Sequence, residues 1–263
     1  MFSKSYIIVA SLFAFVAIVA LGTVVYATHS WGSYHWARTS NPFTLKLGDN
    51  VSSAWDAYLA GASSDWSQSS VLNTTIVAGN TTPRKCRATV GRVEVCNATY
   101  GNNGWLGIAS IWASGSHITQ GTAKMNDTYF NTPTYNTPAW RRLVMCQEVA
   151  HTFGLDHQDE NFSNSNLGTC MDYTNDPDGP PSNEHPNSHD YSMLETIYAH
   201  LDSSTTVGQA LPRGNGNSKA PIDFENSAEW GKAIKHSGDG KASLYLRDLG
   251  NNDKVFTFVL WAK

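Results

Sequence analysis

Charge is scarce in this chain. Only 15% of its 263 residues are Asp, Glu, Lys or Arg, and 18 basic side chains against 22 acidic ones leave a net charge of −4. A disordered chain needs few apolar residues and a large charge imbalance, and with 41% hydrophobic residues that class is excluded. No basic excess exists to hold a phosphate backbone, which argues against non-specific nucleic-acid binding. Cysteine is sparse too, at 4 residues. A chain of this length buries a core of useful size without needing metals or disulfides to fold. No internal repeat occurs, and the length fits one medium domain or one domain with a small appendage.

The one long apolar run extends from Tyr6 to Ala27, carries no charge and follows Lys4. Its Val25-Tyr26-Ala27 ending has short side chains where a signal peptidase reads, so residues 1–27 are expected to be a secretory signal peptide cleaved after Ala27. The run is also long enough to span a bilayer, and an uncleaved membrane anchor is the competing reading. In both cases the remainder is exported. An even set of cysteines (Cys86, Cys96, Cys146 and Cys170) in an exported chain reads as two disulfides. Three pairings are open. The two local closures, Cys86–Cys96 and Cys146–Cys170, are preferred, and each would stabilise the fold by about 3 kcal/mol in the chain-entropy model.

Hydrophobic periodicity places the elements. A first strand is expected over Tyr34–Arg38 and an amphipathic helix over Asp49–Leu59, with Val51, Trp55, Tyr58 and Leu59 at helical spacing. Val71–Val77 and the alternating Arg92–Cys96 read as strands, and the apolar Trp105–Trp112 as a central one. His117–Asn126 carries polar residues throughout and suits an edge strand. A helix is expected from Pro138, with Thr137 as N-cap, through Phe153, and Gly154 ends it. After an irregular stretch, a last helix covers about His189–Leu201. Residues 205–220 are rich in Gly, Asn and Ser and read as a linker, and residues 221–263 as a small β-hairpin appendage with runs at Ala242–Leu246 and Val255–Trp261.

Chemistry concentrates in Gln147-Glu148-Val149-Ala150-His151-Thr152-Phe153-Gly154-Leu155-Asp156-His157. Residues four apart share a helical face, so Gln147 and His151 point the same way, and Gly154 lets the chain turn His157 back toward them. Three donors around one point leave a fourth position open, as a catalytic zinc requires. Glu148 is placed to take a proton from water activated there. This stretch resembles the metzincin zinc-peptidase motif H-E-x-x-H-x-x-G-x-x-H. Glu148, His151, Gly154 and His157 match it, and Gln147 departs from it by standing where the family has its first histidine. Cys170-Met171-Asp172-Tyr173 is similar to the family's Met-turn. That resemblance implies Met171 as a hydrophobic floor beneath the metal. Tyr173, at the spacing of the astacin and serralysin branches, is implied to help stabilise an oxyanion. It also gives sense to a Cys146–Cys170 bridge, because the family fold makes the helix and that turn neighbours.

The resemblance covers roughly Tyr34–Leu201 and is strongest from Ala139 to Tyr173. It implies an α/β (α+β) zincin-like catalytic domain over residues 28–204, with a twisted mixed sheet, an active-site helix and a C-terminal helix. It also implies Zn²⁺ held by Gln147, His151 and His157, Glu148 and Tyr173 as catalytic residues, and an extended polypeptide substrate paired with the edge strand near His117–Asn126. A carboxamide oxygen is a weaker zinc donor than imidazole. Gln147 either ligates through that oxygen, or is compensated by Asp156, Asp159 or Glu160, or marks a site that binds without cleaving. The competing function is therefore a weakened or inactive peptidase scaffold serving as an extracellular binding module. His117, His185 and His189 lack ligand spacing and read as surface or capping residues.

Overall fold

The computed structural model describes residues 29–209, 222 and 224–263. The expected signal peptide and most of the expected linker lie outside these residues. Among the described residues no helix is long and apolar enough to cross a membrane.

The described residues form a mixed α/β fold on one nine-stranded sheet. Its strands are β1 (His35–Trp36), β2 (Phe43–Asn50), β3 (Leu72–Ala78), β4 (Val93–Ala98), β5 (Trp105–Ser114), β6 (His117–Asn126), β7 (Lys232–His236), β8 (Ala242–Gly250) and β9 (Asp253–Trp261). Their spatial order is β3-β2-β4-β6-β5-β9-β8-β7, with the short β1 pairing beside the start of β6. The β3, β2, β4 and β6 strands run parallel, and β5, β9, β8 and β7 continue antiparallel. The helices are α1 (Asp56–Trp66), the single turn α2 (Asp127–Phe130), α3 (Pro138–His151) and α4 (Ser188–Ile197).

Helix α1 starts later than the periodicity suggests, because Phe43–Asn50 forms β2 instead. Phe43, Leu45 and Leu47 face the core while Thr44 and Lys46 face out, the alternation of a half-buried strand. Helix α3 begins where the Thr137-Pro138 pair places it. The Thr137 hydroxyl accepts a hydrogen bond from the Trp140 backbone N–H at 3.3 Å, and proline at the first helical position gives up no intrahelical bond. The last turn of α3 is capped by distant side chains. The Trp31 indole N–H donates to the His151 carbonyl at 3.1 Å, Trp36 to that of Thr152 at 2.8 Å, and the Tyr198 hydroxyl to that of Phe153 at 2.8 Å. Carbonyls that a helix end normally leaves orphaned are thereby satisfied without water.

Two expectations are corrected here. Strand β6 is internal, flanked by β4 and β5. Lys124 and Asn126 on it are buried against specific partners. The Lys124 ammonium lies 5.1 Å from the Tyr100 ring centre, and the Asn126 amide donates to the carbonyls of Gly101 and Trp105. The C-terminal strands are no separate appendage either. Strand β9 pairs with β5 along its length, from Trp105↔Trp261 to Ser114↔Asp253. Phe256, Phe258 and Leu260 join the main core with α1 and α3, while Val255 and Val259 join a second cluster with Trp105, Ile108 and Trp230 on the opposite face. An apolar run buried on both faces stabilises the sheet interior far more than a free hairpin would.

Candidate metal centre

The centre lies where α3 ends. Gly154 has φ +104°, and a Cβ there would strike the Tyr34 carbonyl oxygen, so the sharp turn requires glycine. The chain after it folds back, and the His151 Nδ1–H donates to the Leu155 carbonyl at 2.8 Å. The loop that follows is pinned to the Met171 turn. The Gln158 N–H donates to the Met171 carbonyl at 2.6 Å and the Tyr173 N–H to that of Asp159 at 3.0 Å. Disulfide Cys146–Cys170, with a Cα separation of 6.0 Å, joins α3 to the same turn, and Cys86–Cys96 closes the loop before β4. Met171 is buried in the main core.

These supports bring His151 and His157 together, with their Nε2 atoms 2.9 Å apart. Each ring has its other nitrogen committed as a donor, His151 to the Leu155 carbonyl and His157 to the Glu160 carboxylate at 2.6 Å. The remaining nitrogen of each ring, Nε2, is thereby turned toward the other. An ion bound by both at zinc–nitrogen distances and a tetrahedral angle would set them about 3.3 Å apart, slightly wider than they stand here. Burial holds the His151 ring well below the usual histidine pKa, and the neighbouring His157 adds to that, which keeps it neutral as a ligand must be.

Gln147 and Glu148 add buried oxygens on the same helix. The Gln147 amide N–H donates to the Cys170 carbonyl at 2.8 Å, which leaves its Oε1 buried without a partner. Both Glu148 carboxyl oxygens are likewise buried and partnerless, and burial pushes this carboxyl well above the ordinary range. Three orphaned oxygens on the helix that ends in His151, with two imidazole nitrogens facing each other at its end, are donors a cation can use, so the residues fit zinc. The compensating carboxylates considered from the sequence do not serve. Asp156 and Glu160 sit on the Nδ1 side of His157, where the Lys235 ammonium neutralises both at 2.9 and 3.0 Å, and Asp159 accepts from Asn161 and Asn164.

The C-terminal strands seal this centre. Phe258 stacks on the His151 ring at 4.1 Å and 10°. The Tyr173 hydroxyl donates to the Val259 carbonyl at 3.3 Å. Lys235 of β7 and the Ser243 hydroxyl of β8 both bind Glu160. Gln147, Glu148 and His151 consequently have no exposed surface. Sequence reasoning missed Phe258, Val259, Lys235 and Ser243 as neighbours of the centre. The one signal for Phe258 and Val259 was the run Val255–Trp261, apolar except for Thr257 and too apolar for a surface hairpin.

The fold and the site together define a mixed α/β protein with a buried two-histidine centre on a helix end. No family model matches the chain, and no curated protein matches it. Among solved structures it is similar to high choriolytic enzyme 1, a hatching enzyme zinc-protease from Oryzias latipes (medaka fish). The TM-score is 0.36 at 12% identity, over 64% of this chain and 96% of that one.

Proposed function

We propose that this chain is an exported, zinc-dependent endopeptidase of the metzincin type, held latent by its own C-terminal strands. The reading rests on the facing Nε2 atoms of His151 and His157 at 2.9 Å, with the partnerless oxygens of Gln147 and Glu148 on the helix that ends in His151. Gln147 Oε1, His151 Nε2 and His157 Nε2 would hold the ion. When bound, zinc would supply Lewis-acid polarisation of a scissile carbonyl and lower the pKa of water. Glu148 carries the protons. Once water reaches it, its carboxylate takes a proton from the attacking water and delivers it to the leaving amine. The Tyr173 O–H, which donates to the Val259 carbonyl in the closed state, would donate to the developing oxyanion of a substrate.

Strand β5 is the edge on which the substrate would lie, in place of the β6 edge expected from sequence. Its outer hydrogen-bonding groups are taken by β9, so an extended polypeptide would replace β9 through main-chain bonds. The two disulfides support an exported chain. A second reading, a non-catalytic extracellular binding module, is favoured by the amide in place of the first imidazole and by the apolar cover of Phe258.

A protease-specific cleavage sequence inserted within residues 210–221 separates the two. Cutting it should release hydrolysis of a generic protein substrate that needs zinc, is abolished by phenanthroline and is absent in Glu148→Gln. A cut chain that has shed its C-terminal strands and binds zinc without any turnover would establish the binding module instead.

A further inference from the structure

A second cluster of nitrogen and oxygen donors lies away from this centre, where β1, the start of β6 and the segment after α4 meet. Asp202 Oδ1 is approached by three imidazoles through their Nε2 atoms, at 3.3 Å from His35, 3.3 Å from His117 and 3.6 Å from His200. His35 and His200 Nε2 stand 3.2 Å apart. These four separations bracket the roughly 3.3 Å edge of a tetrahedron whose corners lie at zinc–ligand distances.

The geometry orients the donors. The His35 Nδ1 lies 2.8 Å from the Ser33 carbonyl, which turns its Nε2 toward Asp202 Oδ1. His35 is buried and Asp202 is mostly covered. The outer contacts also resemble those that orient metal ligands. Asp202 Oδ2 is held by the Arg38 guanidinium at 2.9 Å and by the Arg38 backbone N–H at 3.1 Å, which leaves Oδ1 free to point at the imidazoles.

We infer that His35, His200 and Asp202 form the core of a second, structural divalent-metal site, for which His117 supplies the fourth donor by a side-chain rotation. Imidazole and carboxylate donors at tetrahedral spacing suit Zn²⁺. Four protein ligands would leave no position for substrate, which makes the role structural. The ion would join segments far apart in the chain, β1, the start of β6 and the residues after α4.

The test uses the full chain, stripped of metal and titrated with Zn²⁺ by calorimetry and with Co²⁺ by visible absorption. The half-exposed His200 can be removed without disturbing the core. Wild type should take up one more equivalent of metal than His200→Ala, with tetrahedral Co²⁺ bands that the variant lacks. His117→Ala should bind this equivalent at least about tenfold more weakly. Zinc should raise the melting temperature further in wild type than in His200→Ala. Equal stoichiometry and equal zinc-induced shifts in the two proteins would overturn the inference. His200→Ala leaves Gln147, His151 and His157 intact, so such a failure would not bear on the centre at the end of α3.

Discussion

A carboxyl group shut away from water with no donor to meet it destabilises the fold that holds it, and Glu148 is in that position. A Cβ on Gly107 of β5 would overlap its carboxylate and Val144, so the side chain is wedged against the sheet by a glycine that leaves it room. Unfolded, the carboxyl loses its proton near the ordinary value of 4.5; folded, burial makes it keep the proton to a much higher pH. The unfolded state therefore binds fewer protons above that value. The Glu148 contribution to the stability of the metal-free chain is undiminished below pH 4.5 and declines as pH rises past it, by about 1.4 kcal/mol per unit until the folded group also ionises. Glu148→Gln removes this decline. Urea unfolding of chelator-treated protein should show the variant gaining on wild type steadily between weakly acidic and neutral pH. A difference that does not change with pH would mean the carboxyl is already ionised in the fold. On the proposed reading, a catalytic carboxyl that costs stability in its resting state is the usual trade of function against stability.

At the scale of elements, β9 sets the state of the centre. Phe258 is fully buried, stacked on His151 and set against Trp31 at 5.7 Å between ring centres. Phe258→Ala should cost about 3–5 kcal/mol in urea unfolding and speed hydrogen exchange of the β9 amides more than those of β4. A loss confined to global stability, with β9 exchange unchanged relative to β4, would separate the strand from the cover role. How far the sequence reveals these elements depends on how local their determinants are. Helix α3 is legible because Thr137-Pro138 starts it and Gly154 stops the turn, and His151 and His157 are legible because their spacing follows from that helix and that turn. Strand β2 is hidden because its last residues, Asp49 and Asn50, also fit a helix start. Strand β6 misleads because Lys124 and Asn126 are polar yet buried against residues outside the strand, and Thr122 is buried between neighbouring strands. The seat of β9 on β5 is a pairing across more than a hundred residues, which no local pattern encodes.

The whole molecule converges on one helix end. Trp31 and Trp36 from the start of the described chain, Tyr198 after α4, and Phe258 and Lys235 from the C-terminal strands all meet α3 or the loop that follows it. An independent C-terminal unit would have its own core and melt by itself. Here Leu244, Phe256, Phe258 and Leu260 share one core with Trp55, Trp66 and Phe153. Removing the strands would expose that core and open the β5 edge, two costs that fall on the same residues. Unfolding should therefore be a single calorimetric transition, with equal van't Hoff and calorimetric enthalpies. Hydrogen exchange under mild denaturant should place β9 and α3 in the same cooperative unit. An early transition that frees β7–β9 and leaves α3 protected would instead mean that the C-terminal strands are a detachable cover. The closed centre would then open reversibly in solution, without cleavage of the connecting chain, and latency would be a matter of equilibrium.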